Sequence, residues 1–264
     1  MASPTELTPK QLSRLIGTPD APEILDVRID EDFDADPRLI PGARRVDYRQ
    51  AGAIAPLGDR VLVICHRGLK LSQGVAAQLR ARGIVAETLL GGMVAWSEGG
   101  FPTLKAGALP PPGPWGRVVW VTRQRPKVDR IACPWLIRRF IDPLAEFLFV
   151  APSQVLAVAG KFDAIPFDVE GAFWSHRGEN CSFDTFLEET GLEMPALAHL
   201  ARLVRAADTN RLDTEPEAAG LLAASLGLSR IYRDDLAQLE AGLPLYDMFF
   251  RWARDATAEG HDWP

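Results

Sequence analysis

The chain has 264 residues, 47% of them hydrophobic, which is more than one domain of ordinary size and predicts two domains. No apolar stretch is long enough to span a membrane and the first residues lack the pattern of a secretory signal, so a cytoplasmic protein is expected. The formal net charge of −6 argues against nonspecific nucleic-acid binding by the whole chain, and binding through a local basic patch is the alternative. Three cysteines do not indicate a disulfide framework.

The first part of the chain alternates strand-like and helix-like segments. Helices are predicted at 8–16, 71–82 and 94–99, and strands at 23–27, 61–65 and 86–90. Thr8 followed by Pro9 is typical of a helix start. The segment 61–65 (VLVIC) is apolar throughout and rich in β-branched residues, which is typical of a buried strand in a parallel sheet. The alternation predicts an α/β domain over 1–105, with a parallel sheet flanked by helices.

Residues 106–116 (AGALPPPGPWG) are rich in proline and glycine, which excludes a helix or a central strand and predicts a stiff, extended linker. The second domain, 117–264, begins with predicted strands at 118–122 and 146–150 and a helix at 129–141. It then becomes mainly helical, with predicted helices at 182–190, 195–207, 216–225, 234–241 and 245–256. This half is predicted to be an α+β domain in which helices dominate.

Single residues indicate where several of these helices begin. Ser182 is a predicted N-cap, and Pro195 and Pro216 are expected at helix starts. Pro134 lies inside a helical pattern, so that helix is expected either to start near Cys133 or to kink there.

A loop of mixed chemistry follows the buried strand at 61–65. Cys65 lies at the carboxyl end of this strand, where ligands bind in open α/β sheets. The loop amides, the next helix N-terminus and the cations Arg67 and Lys70 are expected to favour a thiolate or a bound anion. Cys65 is therefore the predicted nucleophile, although a buried structural cysteine is the alternative. The residues predicted to bind the anionic substrate are His66, Arg67, Gly68, Leu69 and Lys70, among which His66 has no individual role assigned.

Four motifs in this half occur in the order typical of one family. They are LDVR at 25–28, IPGA at 40–43, CHRGLK at 65–70, and LGGMVAW at 90–96 followed by GFP at 100–102. On these motifs the first half resembles the rhodanese family of sulfurtransferases. The chain departs from the family pattern at Leu39, Lys70 and Leu71, where His, Arg and Ser are common.

The resemblance implies a reaction. Cys65 would take a sulfane sulfur from a small sulfur oxyanion or a persulfide donor, hold it as a persulfide and pass it to a thiol acceptor. No cofactor is required for this transfer, and no membrane takes part. Asp26 and Arg28 would be structural residues that support the active loop. Lysine lacks the bidentate fork of arginine. Lys70 therefore weakens the assignment of thiosulfate as the substrate more than it weakens the assignment of the fold.

In the second half, His176, Glu179 and Cys181 lie within six residues before a predicted helix. Zinc or ferrous iron accepts this mixture of nitrogen, oxygen and sulfur donors, so a metal ion held by these residues is one hypothesis. In the alternative, His176 and Glu179 are surface-loop residues and Cys181 packs beneath the helix cap.

Two further features of this half have open interpretations. Cys133 and Cys181 are a candidate redox pair, although the sequence cannot place them together. Charged residues around the first helix of this half form either a solvated face or a basic surface for an oxyanion such as chromate or phosphate. These residues are Asp129, Arg130, Arg138 and Arg139.

The residues from 118 to 255 resemble the C-terminal domain of the ChrB family of chromate-resistance proteins. The matching motifs are WVTR at 120–123, DRIACPWLIRRFID at 129–142, HRGENCSF at 176–183, VRAADT at 204–209, AGLL at 219–222 and YD at 246–247. The resemblance implies a role in chromate or oxyanion stress. The sequence therefore predicts a sulfurtransferase with this role. The alternative is a chromate- or redox-responsive regulator in which the first domain is a thiol switch, although the family's regulators carry a different N-terminal half.

Overall fold

A computed structural model describes residues 5–111 and 117–260. Its internal contacts divide the chain into two compact units. The first extends to Leu109 and includes Arg139–Pro143, and the second takes Pro110–Arg138 and continues from Leu144. The division falls inside the predicted linker, where no helix was expected. Its first residues, Ala106–Ala108, nevertheless form one turn of 3-10 helix. Residues 112–116 lie outside the described residues, so the extended conformation expected for them stays a prediction.

The first unit contains a five-stranded parallel sheet in the order β1-β6-β5-β2-β4. Its strands are β1 (Glu6–Leu7), β2 (Glu23–Asp26), β4 (Ala43–Arg45), β5 (Arg60–Ile64) and β6 (Val85–Leu89). A short antiparallel pair joins β3 (Arg38–Leu39) to β7 (Leu104–Lys105). The helices are α1 (Pro9–Leu15), α2 (Asp30–Ala35), α3 (Tyr48–Ala51), α4 (Lys70–Ala81) and α5 (Gly92–Glu98). The predicted parallel α/β fold is confirmed.

Local sequence explains how several of these elements form and pack. The Thr8 side chain caps α1 in a capping box with Gln11, and Pro9 is the first helical residue, as the sequence predicts. Strand β5 is buried from Val61 to Ile64 and lies between β6 and β2. One face of α4 supplies Val75 to the core beneath this strand. Cys65, at the end of β5, belongs to the same core cluster.

The second unit combines a three-stranded parallel sheet, in the order β10-β8-β9, with several helices. Its strands are β8 (Val119–Arg123), β9 (Glu146–Val150) and β10 (Ile165–Pro166). Its helices are α6 (Asp129–Leu136), α7 (Val155–Phe162), α8 (Ser182–Thr190), α9 (Pro195–Asp208), α10 (Ala218–Ile231) and α11 (Asp235–Asp255), and a π-helical turn at Ile137–Ile141 follows α6. This agrees with the expected α+β domain in which helices dominate.

Several predicted helix boundaries in this unit are wrong. The N-cap of α8 is Cys181, whose amide donates a hydrogen bond to the Asp184 carboxylate. Ser182, the predicted N-cap, is the first helical residue. Helix α10 begins at Ala218, and Pro216 lies in the turn before it. Helix α6 begins at Asp129 and contains Pro134, so it does not start near Cys133.

The two helices predicted at 234–241 and 245–256 form the single helix α11, which continues through Pro244. The proline removes one backbone hydrogen bond, but neighbouring side chains of this helix are buried. Tyr246 is fully buried and its hydroxyl donates to the Val128 carbonyl at 2.7 Å. This packing offsets the local cost of the proline.

Within residues 5–111 and 117–260, no helix combines the length and the apolar character needed to cross a membrane.

Candidate functional site

The first candidate site is the loop between β5 and α4. Cys65 follows the last residue of β5, and α4 begins five residues later at Lys70. The Cys65 side chain is 5% exposed and packs in the core cluster with Val63 and Val75. The nucleophile predicted from the sequence therefore lies at the carboxyl end of a central parallel strand, the usual ligand-binding edge of such sheets.

The polar contact of this sulfur is a hydroxyl group in the first turn of α4. Cys65 Sγ lies 3.2 Å from Ser72 Oγ, and that hydroxyl also lies 3.2 Å from the carbonyl oxygen of Leu69. In the described part of the chain, no backbone amide donates a hydrogen bond to the sulfur. The sulfur packs into the core and takes its polar contact from Ser72, whereas the cradle of loop amides expected for a bound anion stays a prediction.

Two glycines fix the path of this loop. Gly68 has φ +69° and Gly92 has φ +61°, backbone conformations that residues with a side chain rarely adopt. A Cβ on Gly92 would lie 2.3 Å from the Cys65 carbonyl oxygen and 2.4 Å from the Gly68 nitrogen. The Met93 amide also donates to the Cys65 carbonyl at 3.0 Å. The backbone of the thiol loop thus packs directly on the backbone at the start of α5.

A buried ion pair lies at the end of β2, the strand next to β5. Arg28 Nη2 lies 2.6 Å from Asp26 Oδ2, and both side chains have no exposed surface. Arg28 also donates to the carbonyl oxygens of Asp36 and Arg38. The Val27 amide between the pair donates to the Ile64 carbonyl at 2.9 Å, directly before Cys65. Asp26 and Arg28 therefore tie the segment around 36–38 to the end of β2, and reach the thiol loop through the backbone of Val27.

The remaining loop side chains face solvent or are half-buried. Arg67, Leu69 and Lys70 are exposed, and Leu69 is the N-cap of α4 without a side-chain cap. The Nδ1 atom of His66 is buried and has no hydrogen-bond partner among the described residues. The two cations give the mouth of the loop positive charge, which attracts anionic ligands.

A second group of polar side chains surrounds the imidazole of His176 in the second unit. The His176 Nε2 atom lies 3.5 Å from Asp129 Oδ2, 3.2 Å from Asp168 Oδ1 and 3.3 Å from Asp208 Oδ2. These residues come from the start of α6, the segment after β10, the loop before α8 and the end of α9. We call these four residues the carboxylate–histidine cluster.

Asp129 occupies the buried floor of this cluster. Its carboxylate accepts hydrogen bonds from the amides of Ser182 at 2.7 Å and Phe183 at 3.1 Å, and from the Cys133 thiol at 3.2 Å. Because the first amides of a helix lack intrahelical partners, this carboxylate completes the N-terminus of α8. Asp129 is 1% exposed, so it does not belong to a solvated helix face.

Asp168 is held by cations and by a hydroxyl group. Its carboxylate lies 2.9 Å from Arg123 and 3.2 Å from Arg130, and it accepts a hydrogen bond from Ser182 Oγ at 2.9 Å. Arg130 therefore neutralises a buried carboxylate. In the described residues, the cationic partner of Asp129 and Asp208 is His176.

The close packing of these charges shifts their pKa values. Hydrogen bonds with Asp129, and then with the other two carboxylates of the cluster, raise the pKa of His176 to about 12. Burial raises the pKa of Asp129 to about 6, and the hydrogen bond with His176 opposes that change. Burial also acts to raise the pKa of Asp168, but its hydrogen bonds outweigh burial and lower it. Without a bound ion, His176 is therefore an imidazolium at neutral pH.

The structure does not bring together the three residues predicted to hold a metal. His176 points to the carboxylate–histidine cluster, whereas the Glu179 side chain is 81% exposed and lies 3.3 Å from Arg211. The Cys181 thiol is buried and donates to Asp184 at 3.3 Å. A tight turn explains the separation: residues 177 and 180 exchange two backbone hydrogen bonds of 3.0 Å, and Glu179 is at the tip of this turn.

Sequence reasoning identified part of this cluster. Asp129 and Asp208 occur in motifs quoted above, but no spacing linked either of them to His176. Asp168 was missed, because the segment after β10 carries no recognisable pattern. The Cys133 and Cys181 thiols contact Asp129 and Asp184 respectively, and burial raises the pKa of both.

Comparisons with known proteins match the two parts of the chain to two different families. The family described as "ChrB, C-terminal domain" matches residues 120–253, and the family described as "Rhodanese-like domain" matches residues 8–99. A curated relative, "Protein ChrB" from Cupriavidus metallidurans, is 38% identical over 132 residues, which are 49% of this chain and 39% of that protein. The match thus covers well under half of the curated relative's length.

Two solved structures are similar to parts of this chain. A thiosulfate sulfurtransferase from Pseudomonas aeruginosa is 30% identical over 37% of this chain and 19% of its own, with a TM-score of 0.31. A rhodanese-like domain protein from Staphylococcus aureus is 26% identical over 35% of this chain and 90% of its own, also with a TM-score of 0.31. Each similarity covers over a third of this chain.

Proposed function

Because the chain belongs to the family of the ChrB C-terminal domain and carries a rhodanese-like domain before it, we propose that it is a sulfurtransferase that acts in chromate or oxyanion stress. The observation that carries the proposal is the position of Cys65. This thiol ends the central strand β5 of the rhodanese-like sheet, in a loop held by Gly68 and Gly92. The stress role rests on the family resemblance of the second unit.

The reaction has two displacement steps. The Cys65 thiolate attacks the sulfane sulfur of thiosulfate, so a new S–S bond forms and the S–S bond of thiosulfate breaks. Sulfite leaves with the bonding electron pair, and Cys65 holds a persulfide. An acceptor thiolate then attacks the outer sulfur, receives it as its own persulfide and regenerates the Cys65 thiolate.

The surroundings of Cys65 suit a small anionic donor. The exposed cations Arg67 and Lys70 lie in the same loop and attract an anion to its mouth. Cys65 as a whole is 5% exposed, which favours a slim donor such as thiosulfate or the terminal sulfur of a persulfide over a bulky one. The Ser72 hydroxyl, 3.2 Å from the sulfur, can donate to the thiolate.

The test is sulfur transfer from thiosulfate to cyanide or to a thiol by the full chain. Cys65→Ser is expected to reduce transfer to the rate without protein. Cys181→Ser is the matched control, because Cys181 is the N-cap of α8 and serine is a preferred residue there. Transfer that survives Cys65→Ser would overturn the assignment of Cys65 as the nucleophile, and no transfer by the wild type would overturn the proposal and leave the thiol switch as the alternative function.

A further inference from the structure

The carboxylate–histidine cluster brings together, from distant parts of the chain, side-chain atoms that can bind a metal ion. A carboxylate oxygen of Asp129, a ring nitrogen of His176 and a carboxylate oxygen of Asp208 all lie within 4.8 Å of one another. Imidazole with two carboxylates is a donor set of first-row divalent metal ions, such as manganese, ferrous iron and zinc.

The distances from His176 to Asp129 and Asp208 are also those expected between ligand atoms around one metal ion. His176 Nε2 lies 3.5 Å from the Asp129 oxygen and 3.3 Å from the Asp208 oxygen. Charge-assisted N–H···O bonds are usually about 2.7–2.9 Å long. Ligand atoms bound at about 2.1 Å in a tetrahedral arrangement lie about 3.4 Å apart. One ring proton also cannot serve several carboxylates at once, whereas one cation can.

The carboxylates of the cluster are oriented by groups outside it, as metal ligands usually are. Asp129 is fixed by the amides of Ser182 and Phe183. Asp168, 3.2 Å from His176 Nε2, is fixed by Arg123 and Arg130. These outer contacts hold two of the three carboxylates in place without the imidazole.

One side of the cluster is open to solvent. The His176 side chain is 38% exposed and that of Asp208 is 24% exposed, while Asp129 forms a buried floor. An ion can therefore enter from the exposed side. Three protein ligands would leave further coordination positions for water or a substrate oxygen.

We propose that Asp129, His176 and Asp208 form a divalent transition-metal site in the second unit. This site shares no residue with the thiol loop and does not depend on the sulfurtransferase function. It also differs from the set of His176, Glu179 and Cys181 that the sequence indicated, since it contains no sulfur ligand.

The test is titration of the full chain with Co²⁺ after treatment with a chelator and its removal. We expect one ion to bind per chain, with the visible absorption of an oxygen–nitrogen site and no thiolate-to-cobalt charge-transfer band. His176→Ala and Asp208→Asn should each weaken binding at least tenfold. Glu179→Gln is the matched control, because Glu179 lies three residues from His176 but is 81% exposed, and it should bind as the wild type does.

Three results would overturn the proposal. They are no stoichiometric binding by the wild type, wild-type affinity in both His176→Ala and Asp208→Asn, and a thiolate charge-transfer band that disappears in Cys181→Ser. A second measurement covers variants that fold poorly: Zn²⁺ or Mn²⁺ should raise the thermal midpoint of the wild type, since an ion that binds only the folded state stabilises it. An unchanged midpoint with both ions would count against the site.

Discussion

Replacement of Gly92 by alanine should destabilise the first unit and displace the thiol loop. The φ of +61° at Gly92 costs a side chain about 1–2 kcal/mol. The new Cβ would also lie 2.3 Å from the Cys65 carbonyl oxygen, and backbone atoms cannot rotate away as a side chain can. Relief of this overlap would disrupt the hydrogen bonds that the Met93 and Val94 amides donate to the carbonyl oxygens of Cys65 and His66, each 3.0 Å long. At about 0.5–1.5 kcal/mol for each of the two hydrogen bonds, we expect a total loss of about 2–5 kcal/mol.

The assay is chemical denaturation followed by circular dichroism, together with the rate of sulfur transfer. Gly74→Ala is the matched control, because Gly74 lies in α4 and its Cβ would meet no atom within 4 Å. That change should stabilise the helix by about 0.5–1 kcal/mol and leave sulfur transfer unchanged. A Gly92→Ala protein with wild-type stability and wild-type transfer would refute the reasoning that the two glycine-lined backbones must touch.

Three further changes probe other contacts of the structure. Asp26→Asn should lower the free energy of unfolding by about 3–5 kcal/mol, because Arg28 would stay buried without its charged partner, and a loss below about 1 kcal/mol in urea unfolding would contradict this. Ser72→Ala should slow alkylation of Cys65 at neutral pH about tenfold, since the thiolate loses its hydroxyl donor, and an unchanged rate would exclude that role. Burial raises the pKa of the Cys133 and Cys181 thiols, so both stay neutral at pH 8. Both thiols are buried and should resist alkylation until urea unfolds the chain. Alkylation of either thiol in the folded protein, detected by peptide mass spectrometry, would contradict this.

The first unit could be predicted largely from local sequence. The apolar run 61–65, the Thr8–Pro9 helix start and the spacing of Val75 and Leu79 each determine an element through nearby residues, and β5, α1 and α4 form there. The position of Cys65 follows from the same pattern. Its contact with Ser72 does not, because the direction of one side chain depends on core packing that no periodicity describes.

The carboxylate–histidine cluster was harder to predict from the sequence, because it depends on contacts between distant segments. Asp129, Asp168 and Asp208 are separated by some 40 residues from one to the next, and His176 meets them through the fold of the whole unit. The spacing of His176, Glu179 and Cys181 suggested a local site instead, but the tight turn at 177–180 directs Glu179 to solvent. The break predicted between the helices at 234–241 and 245–256 is likewise absent, because α11 continues through Pro244 and buries Tyr246.

The most direct measurement of the central claim is the intact mass of the full chain after treatment with thiosulfate and removal of the excess. The wild type should gain the mass of about one sulfur atom, peptide mapping should place it on Cys65, and Cys65→Ser should gain none. An unchanged mass in the folded wild type, or a sulfur located on Cys133 or Cys181, would contradict the account.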